Sequence, residues 1–73
     1  MEIKLEKGGH KAILKSSMYR EDYWVSLATW MKSNYSTFEM KTEIFNRKID
    51  GDTFVRKISN LLQSNGYQIV DKF

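Results

Sequence analysis

Ser36-Thr37-Phe38-Glu39-Met40-Lys41-Thr42-Glu43-Ile44-Phe45-Asn46-Arg47-Lys48-Ile49 is the stretch on which the fold of this chain turns. Two readings compete for it. Ser36 with Glu39 three residues later forms a capping box, which favours a helix ended by Asp50-Gly51. Phe38, Met40, Thr42 and Ile44 alternate with Glu39, Lys41 and Glu43, which is the two-residue period of a half-buried strand. On a helical wheel Lys41 and Lys48 interrupt the apolar arc, so the strand pattern is the cleaner of the two.

Toward the N-terminus, Tyr19, Tyr23, Leu27, Trp30 and Met31 recur at helical spacing behind the candidate caps Ser16 and Ser17. They predict a helix from Tyr19 to about Asn34 whose bulky stripe, flanked by Trp24, belongs to the core. Before it, Ile3 and Leu5 alternate with charge, Gly8-Gly9 tolerates positive φ, and Ala12, Ile13 and Leu14 return. This predicts a β-hairpin with Ile3 and Leu5 opposite Ala12 and Leu14.

Toward the C-terminus, Asp52 is the expected cap of a helix whose stripe is Phe54, Ile58, Leu61 and Leu62. Asn65-Gly66 is its left-handed stop, and Tyr67 to Val70 reads as a strand. With a helical middle the order is hairpin, three helices and a strand; with a strand there it is β-β-α-β-α-β. Both are α+β.

The chain has 73 residues, 41% of them hydrophobic and 14% aromatic, which suits one small globular domain over 1–73. It has no Cys and a single His, His10, so neither a disulfide framework nor a thiolate or multi-histidine metal site can support it. Packing or self-association must do so, and a homodimer is one route. The lack of Cys and the charged N-terminus Met1-Glu2-Ile3-Lys4-Leu5-Glu6 fit a cytoplasmic protein, and no apolar run approaches the ~20 residues of a membrane span.

The same inventory argues against catalysis and against a cofactor or metal. Nucleophile-base pairs need convergent titratable groups, and His10 sits at an expected loop tip. Asp50-Gly51-Asp52 looks like a calcium-loop fragment, but Phe54 and Arg56 stand where later ligands belong. The net charge of +3 points mildly to an anionic partner, with the basic residues densest from Lys41 through Arg47 and Lys48 to Arg56 and Lys57.

Read as helices, Thr42 to Leu62 resembles the second and third helices of winged helix-turn-helix DNA-binding domains. Ile44 and Ile49 precede the turn, Thr53-Phe54 opens the recognition helix, and Ile58 and Leu61 hold it down. Gly66-Tyr67-Gln68-Ile69 resembles the exit into a wing strand. The resemblance implies a small winged-helix-like α+β domain with an N-terminal β-hairpin, two or three helices and a C-terminal strand. It also implies double-stranded DNA as partner and a small transcription regulator of phage or mobile-element type. The recognition helix, about residues 53–64, would offer Thr53, Arg56, Lys57 and Asn60 to base edges in the major groove. Lys41, Arg47 and Lys48 would contact phosphates, and Lys7 and Lys11, at the hairpin tip, would serve as a substitute wing. The second half of a wing is missing, since the sequence given stops at Phe73.

The alternative is a protein-binding adaptor or inhibitor, docking on a larger partner through its sheet or its Tyr/Trp-rich segment. Tyr19, Trp24, Tyr35 and Phe73 are more aromatic surface than so short a chain buries easily, and Glu39, Glu43, Asp50 and Asp52 would repel phosphate. A strand over Ser36–Ile49 favours this reading.

Overall fold

The two-residue period of Phe38 to Ile44 is realised as a strand, and the segment before it is a strand too. The computed structural model describes all 73 residues. The elements are β1 (Glu2–Lys7), β2 (His10–Tyr19), β3 (Asp22–Met31), β4 (Asn34–Phe45), α1 (Lys48–Ser64) and β5 (Gln68–Val70). They form one antiparallel sheet in the order β4-β3-β2-β1-β5. α1 carries the chain from the β4 edge across one face of the sheet to β5 at the other edge. No helix is long and apolar enough to cross a membrane.

The winged-helix-like architecture expected from the sequence is therefore wrong, because there is one helix where two or three were expected. The expected helix over Tyr19 to Asn34 is instead the end of β2, a tight turn at Arg20-Glu21, β3, and the turn at Lys32-Ser33. Residues four apart share a face in a strand as well as in a helix. Tyr23, Leu27 and Met31 thus satisfy both periods, while Trp24, Ala28 and Trp30 make the other face of β3 apolar and mask the alternation. Neither turn contains Gly, Asn or Asp at its two central positions. Arg20 takes φ 57 without the residue type that would announce it.

Other local expectations fare unevenly. The hairpin at Gly8-Gly9 forms with Ile3 opposite Leu14 and Leu5 opposite Ala12, and Gly8 has φ 57. Asp50-Gly51 does not end a helix, and Asp52 does not cap one: Arg47 is the N-cap, and all three lie in the first turns of α1. The Arg47 side chain makes no cap bond to the backbone. Its Nε and Nη2 instead donate to the Asp50 carboxylate at 2.9 and 3.0 Å, holding an acid near the positive end of the helix dipole. The stop is as expected, with Gly66 at φ 97. The Gly66 amide donates to Gln63 O and the Tyr67 amide to Leu62 O, a Schellman motif.

The core lies between α1 and the sheet. Leu5, Ala12, Leu14, Tyr23 and Val25 of the strands meet Val55 of the helix, with Ile3, Leu27, Phe45, Phe54, Ile58, Leu62 and Tyr67 half-buried around them. Leu61, expected in the helix stripe, is exposed. Only 10 of 73 residues are buried; α1 covers one sheet face, and no helix or strand covers the other.

Tyr23 seats the start of α1. Its hydroxyl lies 2.8 Å from Ser16 Oγ and 2.9 Å from Asp52 Oδ1. A carboxylate only accepts, so the phenol donates to Asp52 and Ser16 donates to the phenol oxygen. Lys48 Nζ donates to the other Asp52 oxygen at 2.7 Å. The Lys48 bond, then the Tyr23 bond, hold the Asp52 carboxyl below its ordinary value, with the Lys48 and Arg56 charges adding and burial opposing. A depressed folded pKa gives stability that is complete above the unfolded value, about 3.9, and is lost as pH falls through the lower folded value. Asp52→Asn is therefore expected to unfold at lower urea than the parent at pH 7. The gap should shrink as the pH is taken below about 3.9. A gap that persists undiminished in acid would mean that the carboxylate charge plays no part.

Candidate interaction face

Alternation along the strands decides which side chains face away from α1. With Leu14, Val25 and Phe45 against the helix side, the opposite face receives Ile13, Lys15, Ser17 and Tyr19 from β2 and Trp24, Ser26, Ala28 and Trp30 from β3. From β4 it receives Met40, Thr42 and Ile44. Phe38 joins them beside Trp30.

Two aromatic groups stand at opposite ends of this face. At one end Tyr19 meets Trp24 edge-on, with centroids 5.9 Å apart, and Arg20 lies over the Tyr19 ring. At the other, Trp30 gathers Tyr35 in a parallel stack at 6.5 Å, Phe38 at 6.0 Å and Phe73 edge-on at 5.4 Å. The last residue of the sequence thus folds back over the sheet, where Lys11 lies against its ring.

Between the groups is an open hollow of about 590 Å³ lined by Lys15, Ser17, Tyr19, Trp24, Ser26 and Met40. A more apolar one of about 250 Å³ adjoins it, where Ile13, Ala28, Trp30 and Phe38 share Lys15, Ser26 and Met40. The floor is made of small residues, with Ser26 Oγ 3.1 Å from Thr42 Oγ1, and the walls are large. Met40, Ile44, Tyr19 and Tyr35 are each more than half exposed. These exposed apolar side chains lie together on one face of the sheet. Trp24 Nε1 is buried with no acceptor, a cost of about 1–3 kcal/mol.

The face is nearly neutral. Glu2 lies 3.8 Å from Lys4 and 3.5 Å from Lys15, and Glu6 is paired with Lys11, whose stem is buried. Acids of β1 thus offset the lysines that could have drawn a polyanion to the aromatic groups.

The residues expected to bind DNA are not brought to one surface. Thr53, Arg56, Lys57 and Asn60 are exposed along the side of α1 away from the sheet. Lys41 is exposed on the helix side of β4. Arg47 and Lys48 are tied to Asp50 and Asp52, and the Lys48 ammonium is held charged by its bond to Asp52. Lys7 Nζ donates to Asn65 O at 2.6 Å, and Lys11 lies on the opposite face of the sheet. Of the apolar residues here, Tyr19, Trp24, Tyr35 and Phe73 stand out in the sequence as excess surface. Phe38, Met40 and Ile44 do not, since apolar residues in alternation read as a strand's buried side, and neither does Trp30, whose helical spacing reads as a core stripe.

No protein-family model matches the chain, and neither a curated protein nor a solved structure matches it.

Proposed function

We propose that this protein is a protein-binding module whose helix-free sheet face docks on an apolar surface of a partner. The observation that carries the reading is that face: two aromatic groups around small-residue hollows, near-neutral and uncovered. Interface centres are enriched in Trp, Tyr, Phe and Met and depleted of charge, and their large aromatics carry most of the binding energy. A phosphate backbone would instead want an excess of unpaired cations, which Glu2 and Glu6 deny here.

Both tryptophans of the chain lie on this face, so their fluorescence reports its occupation. The test places a photo-cross-linking phenylalanine analogue at Tyr35, on the face, or at Lys57, on α1, in extract of the source cell. A protein captured from Tyr35 and not from Lys57 is then purified and titrated by tryptophan fluorescence. Trp30→Ala is expected to weaken binding by about 2 kcal/mol or more, as for a central aromatic anchor, and Arg56→Ala to leave it within about 0.5 kcal/mol. Capture from Lys57 alone, or equal affinity for Trp30→Ala, would defeat the reading.

One observation keeps a second reading in play. From Thr53 to Ser64 α1 contains no acidic residue, and Thr53, Arg56, Lys57 and Asn60 are exposed on its outer side, with the Thr53 hydroxyl donating to Ile49 O at 2.9 Å. Double-stranded DNA in the major groove is the partner this surface would suit, with Arg and Asn reading base edges. Anisotropy titration with duplexes at two salt concentrations separates the two. Steeply salt-dependent binding lost in Arg56→Ala and Asn60→Ala, with no change in Trp30→Ala, would transfer the function to the helix.

A further inference from the structure

At one edge of the sheet β5 is three residues long, whereas at the other β4 runs twelve residues with nothing beside it. A strand paired on one side only turns alternate N–H and C=O groups outward, a template for another strand. Pairing of β4 with β3 is regular from Glu39 to Phe45 and becomes irregular opposite Thr29 to Met31. Along the regular stretch Glu39, Lys41, Glu43 and Phe45 lie on the helix side, and Met40, Thr42 and Ile44 on the aromatic face.

We propose that β4 pairs antiparallel with β4 of a second copy of this chain, about a two-fold axis at Thr42. The sequence of the edge is self-complementary in that register. It pairs the whole of Glu39 to Phe45 with itself and sets Lys41 opposite Glu43 of the second copy, twice by symmetry. It also places Met40 against Ile44 of the second copy, covering side chains that are 62% and 52% exposed in the single chain. Centring the axis on Lys41 instead would oppose Lys41 to itself and Glu39 to Glu43, and like charges directly opposite destabilise a strand pair. Centring it on Met40 opposes Glu39 to Lys41 but draws the irregular residues 35–38 into the ladder. Residues facing each other across an antiparallel pair share a sheet face, so odd registers are excluded.

The two-fold axis stands perpendicular to the sheet. Both helices then lie on one side of a ten-stranded sheet, and both aromatic faces join on the other. The inference rests on the edge and its charges, independently of what the aromatic face binds.

Sedimentation and charge reversal test it. The parent should sediment as a dimer at micromolar concentration. Lys41→Glu and Glu43→Lys should each weaken it at least about tenfold, because each opposes like charges. Mixing the two variants should restore a heterodimer, since Glu at 41 then faces Lys at 43 in both pairs. The chain has no cysteine, so Thr42→Cys supplies a single thiol that should link two copies on mild oxidation, with Thr37→Cys as the control that should not. A parent that stays monomeric at high micromolar concentration overturns the proposal, as do single reversals that leave the dimer intact. Rescue of Lys41→Glu by Glu39→Lys, and not by Glu43→Lys, overturns the register.

Discussion

Leu14→Ala is expected to lower the stability of this protein by about 2 to 5 kcal/mol, the range for large-to-small changes at fully buried sites. Leu14 is 1% exposed on β2, in the middle of the sheet, between Ile3 on β1 and Leu27 on β3 and in one cluster with Val55 of α1. A domain of 73 residues has roughly 4 to 11 kcal/mol in all, at the usual stability per residue. The loss therefore removes a large share of the total, and the variant should populate unfolded chain near 37 °C. Urea unfolding followed by circular dichroism measures it. Leu61→Ala, on the exposed side of α1, is the matched control and should fall within about 0.5 kcal/mol of the parent. Equal losses at the two leucines would mean that α1 presents a different side to the sheet.

Gly51→Ala is the second large effect, and its sign is opposite to the usual one. In a helix interior Ala is favoured over Gly by about 1 kcal/mol. Gly51 lies in the first turns of α1 directly over the Tyr23 ring, where an added Cβ would stand 2.0 Å from Cδ1 and 2.4 Å from Cε1. Tyr23 is 4% exposed, and its hydroxyl is held by Ser16 and Asp52, so the ring has nowhere to go without giving up those bonds. Overpacking of this kind costs about 1 to 3 kcal/mol, occasionally more, and lost hydrogen bonds add to it, so a net loss of about 3 kcal/mol is expected. A thermal melt compares the variant with the parent. Any gain in stability would show that the helix does not approach Tyr23 this closely.

The same glycine shows why the fold was only partly legible. In the sequence Asp50-Gly51-Asp52 has the look of a helix end or a turn, because glycine next to acids usually supplies conformational freedom. Here the glycine supplies the absence of a side chain, and that need arises only when a tyrosine from β3, nearly thirty residues away, is laid beneath it. The Asp52 carboxylate is likewise recruited by Tyr23 and Lys48 instead of capping the helix.

The face proposed for binding was half-visible for a related reason. Alternation in Phe38 to Ile44 correctly implies a strand, but the natural inference that the apolar set faces the core is inverted. α1 begins just after β4, and the side of β4 carrying Glu39, Lys41 and Glu43 is exposed beside it, while Met40 and Ile44 look out from the uncovered face.

What the sequence determined by itself is local: the glycine hairpin and its register, an amphipathic helix in the C-terminal half and the Asn65-Gly66 stop, whereas the middle segment carried both a capping box and a strand period and stayed open between helix and strand. Each of the first three depends on residue conformation or on neighbours a few positions apart, so short-range patterns suffice. The tertiary structure decided that Asp22 to Met31 is a strand, since spacings of four residues satisfy both periods and only pairing with β2 and β4 breaks the tie. It also decided which sheet face one helix could cover, because a single helix cannot shield both sides of a five-stranded sheet.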